Sequence, residues 1–538
     1  MLISHLLARR ISFKALILYV LIVVPVYSTP AFAQVTAYMQ AVAEASAKDS
    51  ALSGFYKANG YKPIWTGKTG KHKSRRSALL KALGSAGNHG LPVKAYDTEF
   101  LKANLRSVKS ERDLGRIEVE LSRLFLQYAR DMQTGVLTPS RVDQGIVRKV
   151  PLRNRMETLI NFSKSSPAAY LKSLAPKSQE YTRLMKEKIK MERLLAKGGW
   201  GATVPGKKLK PGQSGAAVIA LRNRMIAMEY MRRSASKTYD TNLQKAVQQF
   251  QLSHGLSPDG VAGAGTLAEI NKSVETRLSQ ILVAMERERW VNMPRGKRHI
   301  WVNLTDFSAK IIDNGKVTFE TRSVVGANKH DRRSPEFSDT MEHMVINPTW
   351  NVPRSIAIKE YLPMMQENPE AAGHLRMIDE SGRVVNRAEL DFTEYDEFNF
   401  PFDLKQPPSR RNALGLVKFM FPNKHNIYLH DTPAKNLFSR ESRAFSHGCI
   451  RLNDPFDFAY ALLKKQMNNP EPFFQAKLAT HKESVVPLEK PVPVHLVYRT
   501  AFTSAKGNMN YRRDIYGRDA RIFKALQKAG VVLRAVRS

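Results

Sequence analysis

Cysteine is almost missing from this chain: Cys449 is the single one among 538 residues. No intrachain disulfide can form, so whatever stability the fold has comes from packing. Acidic residues are scarce as well, 48 Asp and Glu against 85 Lys and Arg, a formal net charge of +37. Such a field favours an anionic partner, which leaves nucleic acid, anionic lipid and cell-wall polymer as the candidates. The excess is spread thinly, in short runs such as Lys71-His72-Lys73-Ser74-Arg75-Arg76 and Lys207-Lys208-Leu209-Lys210, and no dense basic tail stands out. Long apolar runs are also wanting, and no stretch beyond the N-terminus could span a bilayer.

What is present is the composition of a folded protein, with 43% hydrophobic and 25% charged residues. The length suggests several domains rather than one core. At the N-terminus Arg9, Arg10 and Lys14 precede an apolar stretch over 15–26, followed by Ala31-Phe32-Ala33. This pattern predicts a secretory signal over 1–33, cut after Ala33. The alternative is an uncleaved inner-membrane anchor, but the run is shorter than the roughly 18 residues that a spanning helix needs. Export to the periplasm argues against DNA or RNA as partner. A lone thiol sent to an oxidising compartment is, by itself, best read as a small buried hydrophobe.

Residues 34–200 read as a helical scaffold domain, with amphipathic runs over 117–132 and 181–195 and a core that includes Leu121, Leu124, Phe125 and Tyr128. A Gly, Pro and Lys-rich linker over 201–215 follows. The unit at 209–272 pairs a helix bearing Leu221 and Met225 with one bearing Ala246, Val247 and Phe250. It closes on a Gly-rich turn over 255–263 and a short helix over 266–270. After a bridging helix over 274–290 the pattern changes to short β-branched runs over 300–303, 309–312, 316–325 and 344–347. Asp313-Asn314-Gly315 between two of them is a hairpin signal. The region 298–466 is therefore mainly β, interrupted by a polar insert at about 358–411. A basic extension over 467–538 holds a further strand at 493–501 and a helix at 519–530. The fold class expected is multidomain α+β.

Chemistry concentrates in Tyr428-Leu429-His430-Asp431 and in Ser446-His447-Gly448-Cys449-Ile450-Arg451. A thiol attacks as thiolate, and a nearby imidazole is the usual means of lowering its pKa. His447 is two residues from Cys449, whereas His430 comes from a separate strand and could approach head-on. Gly448 would let a substrate carbonyl reach main-chain N–H donors, as an oxyanion site needs. Base, nucleophile and donors together imply acyl transfer through a thioester, with the acceptor left open.

Gln249-Phe250-Gln251 through Gly255-Leu256, Asp259-Gly260, Gly263 and Thr266-Leu267 resemble the peptidoglycan-binding type 1 module, a three-helix fold. His430 followed, after fifteen intervening residues, by Ser446-His447-Gly448-Cys449 resembles the signature of L,D-transpeptidases with the YkuD fold. Phe55-Tyr56, Gly60-Tyr61, Pro63-Ile64-Trp65, Asn347-Pro348-Thr349-Trp350-Asn351-Val352-Pro353 and Val497-Tyr498-Arg499-Thr500-Ala501 extend that resemblance to the large YcbB-type Gram-negative members. The resemblance implies a cysteine acyltransferase that needs no cofactor or metal. It takes diaminopimelate from a tetrapeptide stem, releases D-alanine and forms 3→3 cross-links, with a cap over the site formed by the insert. By position it makes Cys449 the nucleophile and His430 the base and acid, while Ser446, His447 and Gly448 shape the oxyanion site. Arg451 stands where many members have Asn and others Arg, with a role in holding a substrate carboxylate. Tyr428 and Trp350 are wall residues and candidate substrate contacts. Partners implied are peptidoglycan stem peptides and glycan, with an outer-membrane protein amine as a further acceptor.

Two other classes compete. A zinc-dependent wall hydrolase would suit the binding module, but His425 and His430 have no H-E-x-x-H or comparable ligand set around them. A noncatalytic wall-binding protein would not need the intact nucleophile motif.

Overall fold

The structure is a computed structural model describing residues 35–535, and the expected export signal over 1–33 lies outside the described residues. The helical period around Leu121 belongs to a 24-residue helix, Glu111–Thr134, whose start is fixed by a reciprocal cap between Ser110 and Asp113. One carboxylate on this helix organises the loop ahead of it. Glu118 is fully buried and accepts hydrogen bonds from the amides of Ile64 (2.7 Å), Trp65 (3.1 Å) and Thr66 (2.8 Å) and from the Tyr56 hydroxyl (3.1 Å). A buried carboxylate is tolerated when its lone pairs are filled in this way. The Tyr56 to Trp65 segment is thus a folding device that delivers Trp65 to the core, stacked on Phe162 at 4.9 Å.

The second unit has three helices, Ala216–Ala227, Thr241–Ser253 and Ala264–Ile270, packed around Leu221, Met225, Val247, Phe250 and Leu267. Its signature residues form one network. The Gln251 amide donates to Asp259 (2.7 Å), the Val261 carbonyl (3.0 Å) and Thr266 (3.2 Å), and its oxygen accepts the Gly260 N–H (2.9 Å). Gly260 has φ +71°, and a Cβ there would lie 2.7 Å from Gln244, so the turn requires glycine.

The bridging helix, Val274–Trp290, is buried on all sides and carries Arg277, Glu286, Arg287, Glu288 and Arg289 into the interior. It packs with Tyr181 and Leu184 of the helix Gln179–Ala196 and with Ile522 and Leu526 of the helix Arg518–Lys528. Charges there must be paired. Arg287 holds Glu336 and Asp519 (3.0 Å), and Glu288 holds Arg499 (2.7 Å) and Arg295 (2.9 Å). Burial alone would raise the Glu288 carboxyl, but Arg499 and Arg295 outweigh it and hold it at about 2.

Past Trp290 the side-chain period becomes two. The first strands are β1 (Arg298–Asn303), β2 (Ser308–Asp313), β3 (Lys316–Gly326) and β4 (Phe337–Ile346). Three short strands follow, β5 (Trp350–Asn351), β6 (Arg376–Ile378) and β7 (Asp403–Gln406). Then come β8 (Val417–Met420), β9 (Leu429–His430), β10 (Ala444–Ser446), β11 (Ile450–Leu452) and β12 (Ser484–Val497). Nine of them form one mixed sheet in the order β10-β3-β11-β9-β8-β4-β12-β1-β2, and β2 also pairs with β3, so the sheet closes on itself. Asn314 and Gly315 both take positive φ, 49° and 79°, the geometry of the tight hairpin joining β2 to β3.

The strand read at 493–501 is the end of the longer β12, which stops at Val497. Its pairing with β4 slips between Pro487 and Val492, where prolines remove ladder donors. The insert builds a separate three-stranded sheet from β5, β7 and β6. It carries an apolar cluster of its own, with Trp350, Met365, Phe392, Phe400 and Phe402, against which Tyr428 packs. The helical, mainly-β and small helical regions together make a mixed α+β chain. No helix among the described residues is long and apolar enough to cross a membrane.

Candidate active site

His430 lies on β9, and Cys449 immediately precedes β11, the parallel neighbour of β9. Arg451 on β11 lies opposite His430 on β9, and Ile450 lies opposite Leu429. Leu429, Ile450 and Leu452 point into the core, so the alternation of the strands turns His430 and Arg451 to the other face, toward the insert.

The turn that presents the thiol is stapled from several sides. Ser446 Oγ donates to the Cys449 carbonyl (2.6 Å) and accepts the Gly448 N–H (3.1 Å). Gly448 has φ +121°, and a Cβ there would come 3.2 Å from Ile427, which fits glycine at the crossing. Its carbonyl accepts the Ser334 hydroxyl (2.6 Å), Ser334 in turn takes the Gly326 N–H (2.9 Å), and Tyr516 donates to the Gly326 carbonyl (2.6 Å). The Gly448 N–H is thus engaged within the turn. The N–H groups of His447 and Cys449 have no backbone partner among the described residues. Sequence reasoning missed Ser334 and Tyr516, since only the strand pairing brings them here.

His430 Nδ1 donates to the Asp431 carbonyl (2.5 Å), which places the proton of the neutral ring on Nδ1, and the Leu414 carbonyl also approaches the ring. The Asp431 carboxylate is pinned by the Leu416 N–H (2.9 Å) and the Lys435 ammonium (2.7 Å). Burial and the nearby Arg451 charge push the imidazole down to about 3. Cys449 Sγ donates to the Asn426 carbonyl at 3.5 Å. The loop offering that carbonyl is closed by Asn423, whose amide reaches Phe421 (2.6 Å) and Ile427 (2.7 Å). Burial pushes the thiol up to about 11, against the pull of Tyr428 and Arg451. Residues 297–469 match the L,D-transpeptidase catalytic domain family, YkuD.

That stretch is similar to L,D-transpeptidase catalytic domains. Residues 214–270 match the family described as "Putative peptidoglycan binding domain" and residues 50–187 a scaffold domain. A curated protein of Haemophilus influenzae (strain ATCC 51907 / DSM 11121 / KW20 / Rd), named "Putative L,D-transpeptidase", is 34% identical over 255 residues, 47% of this chain and 51% of that one. The chain spans about half the length of that relative. Solved L,D-transpeptidases of Xylanimonas cellulosilytica DSM 15894 and Stackebrandtia nassauensis align over 55% of this chain and 98% and 97% of theirs. Their identities are 14% and 13% and their TM-scores 0.16 and 0.22, too distant to carry an argument.

Burial leaves the Cys449 thiol and the His430 imidazole each neutral at rest. The sequence pattern leads one to expect a lowered thiol pKa, but desolvation outweighs the help that Tyr428 and Arg451 give the thiolate. Iodoacetamide alkylation of Cys449 should therefore quicken about tenfold per pH unit between roughly 7 and 10, following the thiolate fraction. A rate already level near pH 8 would show an ion pair instead.

The remaining predicted residues divide between wall and turn. His447 faces away from the thiol, with Nε2 on the Glu360 carboxylate at 2.6 Å. Glu360 lies on a π-helical turn of the insert, Ala357–Tyr361, and also holds Arg332 at 2.5 Å, so one carboxylate ties the insert to the nucleophile turn. Neither Glu360 nor Arg332 carries a sequence signal. Trp350 is buried and interacts with the Tyr428 hydroxyl, which also meets the Cys449 thiol, so both wall the site. The Tyr428 ring stands edge-on to His430 at 5.6 Å. Arg451 is half-buried, and its Nε has no hydrogen-bond partner. Its charge acts on both Cys449 and His430, and no carboxylate pairs with it among the described residues.

Proposed function

We propose that the protein is a periplasmic peptidoglycan L,D-transpeptidase that forms 3→3 cross-links through a Cys449 thioester. The observation that carries this reading is the placement of the chain's single thiol. It sits on the stapled turn between β10 and β11, immediately ahead of the strand that pairs with the His430 strand.

Cys449 Sγ attacks the diaminopimelate carbonyl of a tetrapeptide donor. The S–C bond forms, the C–N bond to D-alanine breaks, and His430 Nε2 passes the thiol proton to the leaving amine. The His447 and Cys449 N–H groups supply the oxyanion donors, with Ser446 and Gly448 setting their direction. A diaminopimelate amine of a second stem then attacks the thioester, a C–N bond replaces the C–S bond, and its proton returns to sulfur through His430. Arg451 holds a donor carboxylate, which neutralises the charge depressing the imidazole. The base therefore strengthens when the donor is bound.

The test is intact mass of the purified protein with a tetrapeptide donor, followed by muropeptide analysis. The expected result is a tripeptide acyl adduct on Cys449, loss of D-alanine and 3→3 dimers. No adduct would overturn the reading. An adduct that resolves only onto water, a D-amino acid or an outer-membrane protein amine would keep the thioester and replace the cross-linking step.

A further inference from the structure

A cavity of about 310 Å³ lies where the peptidoglycan-binding unit meets the catalytic domain, lined on one side by Leu252 and Leu256 and on the other by Phe438, Arg322, Arg440 and Arg443. It is close to the chemistry. The Arg322 carbonyl accepts the Asn453 N–H at 3.0 Å, and Asn453 is four residues beyond Cys449, roughly 13 Å along an extended chain.

Three of its arginines, Arg322, Arg440 and Arg443, are without an ion pair among the described residues, while Arg512 pairs with Asp306. Arg443 spends its guanidinium on three carbonyls, those of Ser323 (3.2 Å), Arg440 (2.9 Å) and Phe307 (3.2 Å). Arg322 donates to the Phe438 carbonyl (3.2 Å). A neutral carbonyl fixes a guanidinium without cancelling its charge. The cavity's two carboxylates are engaged by other groups, Asp306 by Arg512 (2.6 Å) and Glu441 by Arg513 (2.8 Å). Burial, helped by Arg322 and opposed by Asp306, pushes Arg443 down to about 10, as expected where the cavity's arginines outnumber its carboxylates. Leu252 stays 52% exposed at the edge, so the site offers apolar surface next to its positive charge.

We propose that this junction is an anchoring subsite for a carboxylate-bearing stem peptide of the strand held by the binding unit, distinct from the donor site at Cys449. The proposal rests on the reading of the protein as a peptidoglycan enzyme. Guanidinium groups take phosphate as well as carboxylate, so the experiment separates the two.

Co-sedimentation of the full chain with purified sacculi tests it. Arg322→Gln combined with Arg440→Gln, at two exposed positions, should lower retention at least about five-fold with an unchanged melting temperature. Arg232→Gln with Arg233→Gln removes the same charge from the exposed surface of the binding unit and should change retention less than about two-fold. An acetylated tripeptide with free carboxylates should compete with the sacculi for the wild-type chain, and much less for the junction variant. Inorganic phosphate at equal ionic strength should not compete. Equal losses in both variants, no loss in the junction variant, or competition by phosphate alone would each overturn the subsite. Acylation of wild-type Cys449 by a free tetrapeptide is scored separately, so failure of the enzymatic reading is distinguishable from failure of the subsite.

Discussion

Cys449→Ala should abolish acyl transfer, lowering turnover of a tetrapeptide donor by at least about 10³-fold and removing the covalent adduct. No other thiol exists in the chain to take its place. The substitution is mild for the fold, because Cys449 is only half-buried and its sulfur makes only a long contact with the Asn426 carbonyl and one with the Tyr428 hydroxyl. The staples from Ser446 and Ser334 run through main-chain carbonyls that alanine keeps. Retention on sacculi should therefore persist while chemistry vanishes. Cross-linking that survived the substitution would sink the proposed mechanism.

His430→Ala should cost about 10² to 10⁴-fold in donor acylation, the usual range for a lost general base. The pH profile distinguishes this from simple damage. In the resting protein the imidazole is neutral above about 3, so across neutral pH it is already in the accepting form. Without it, acylation must wait for thiolate, and the rate should climb with pH toward the thiol value of about 11. The variant should thus be most impaired at low pH and recover partly as pH rises. If His430→Ala stayed within about threefold of wild type while His447→Ala collapsed, the base would be His447 and the strand-paired geometry would not matter.

How far the sequence goes depends on whether the physical cause is local. The turn at Asn314 and Gly315 is local and was readable, as was the helical period through Leu121. Strand β12 was largely hidden, because Pro487, Pro491 and Pro493 argue against a strand and only the irregular pairing with β4 accommodates them. The insert looks polar along the chain because its aromatic residues are scattered, and they cluster only once β5, β7 and β6 have paired. Within the site, the motif announces Cys449, His430 and their neighbours. Ser334, Glu360 and Tyr516 come from distant segments, and nothing in their local sequence marks them. Nor does the motif reveal the protonation of the pair, since that follows from burial, which belongs to the folded state.

The buried charges on the helix Val274–Trp290 reach the nucleophile. Arg287 grips Glu336, Arg518 shares Glu336 and also donates to the Ser334 carbonyl (3.0 Å), and Ser334 in turn holds the Gly448 carbonyl. The thiol is therefore fastened to residues from the middle and the far end of the chain. This is an interlock: the helix Arg518–Lys528 carries the arginine that braces the Ser334 carbonyl, and Ser334 braces the turn that presents Cys449.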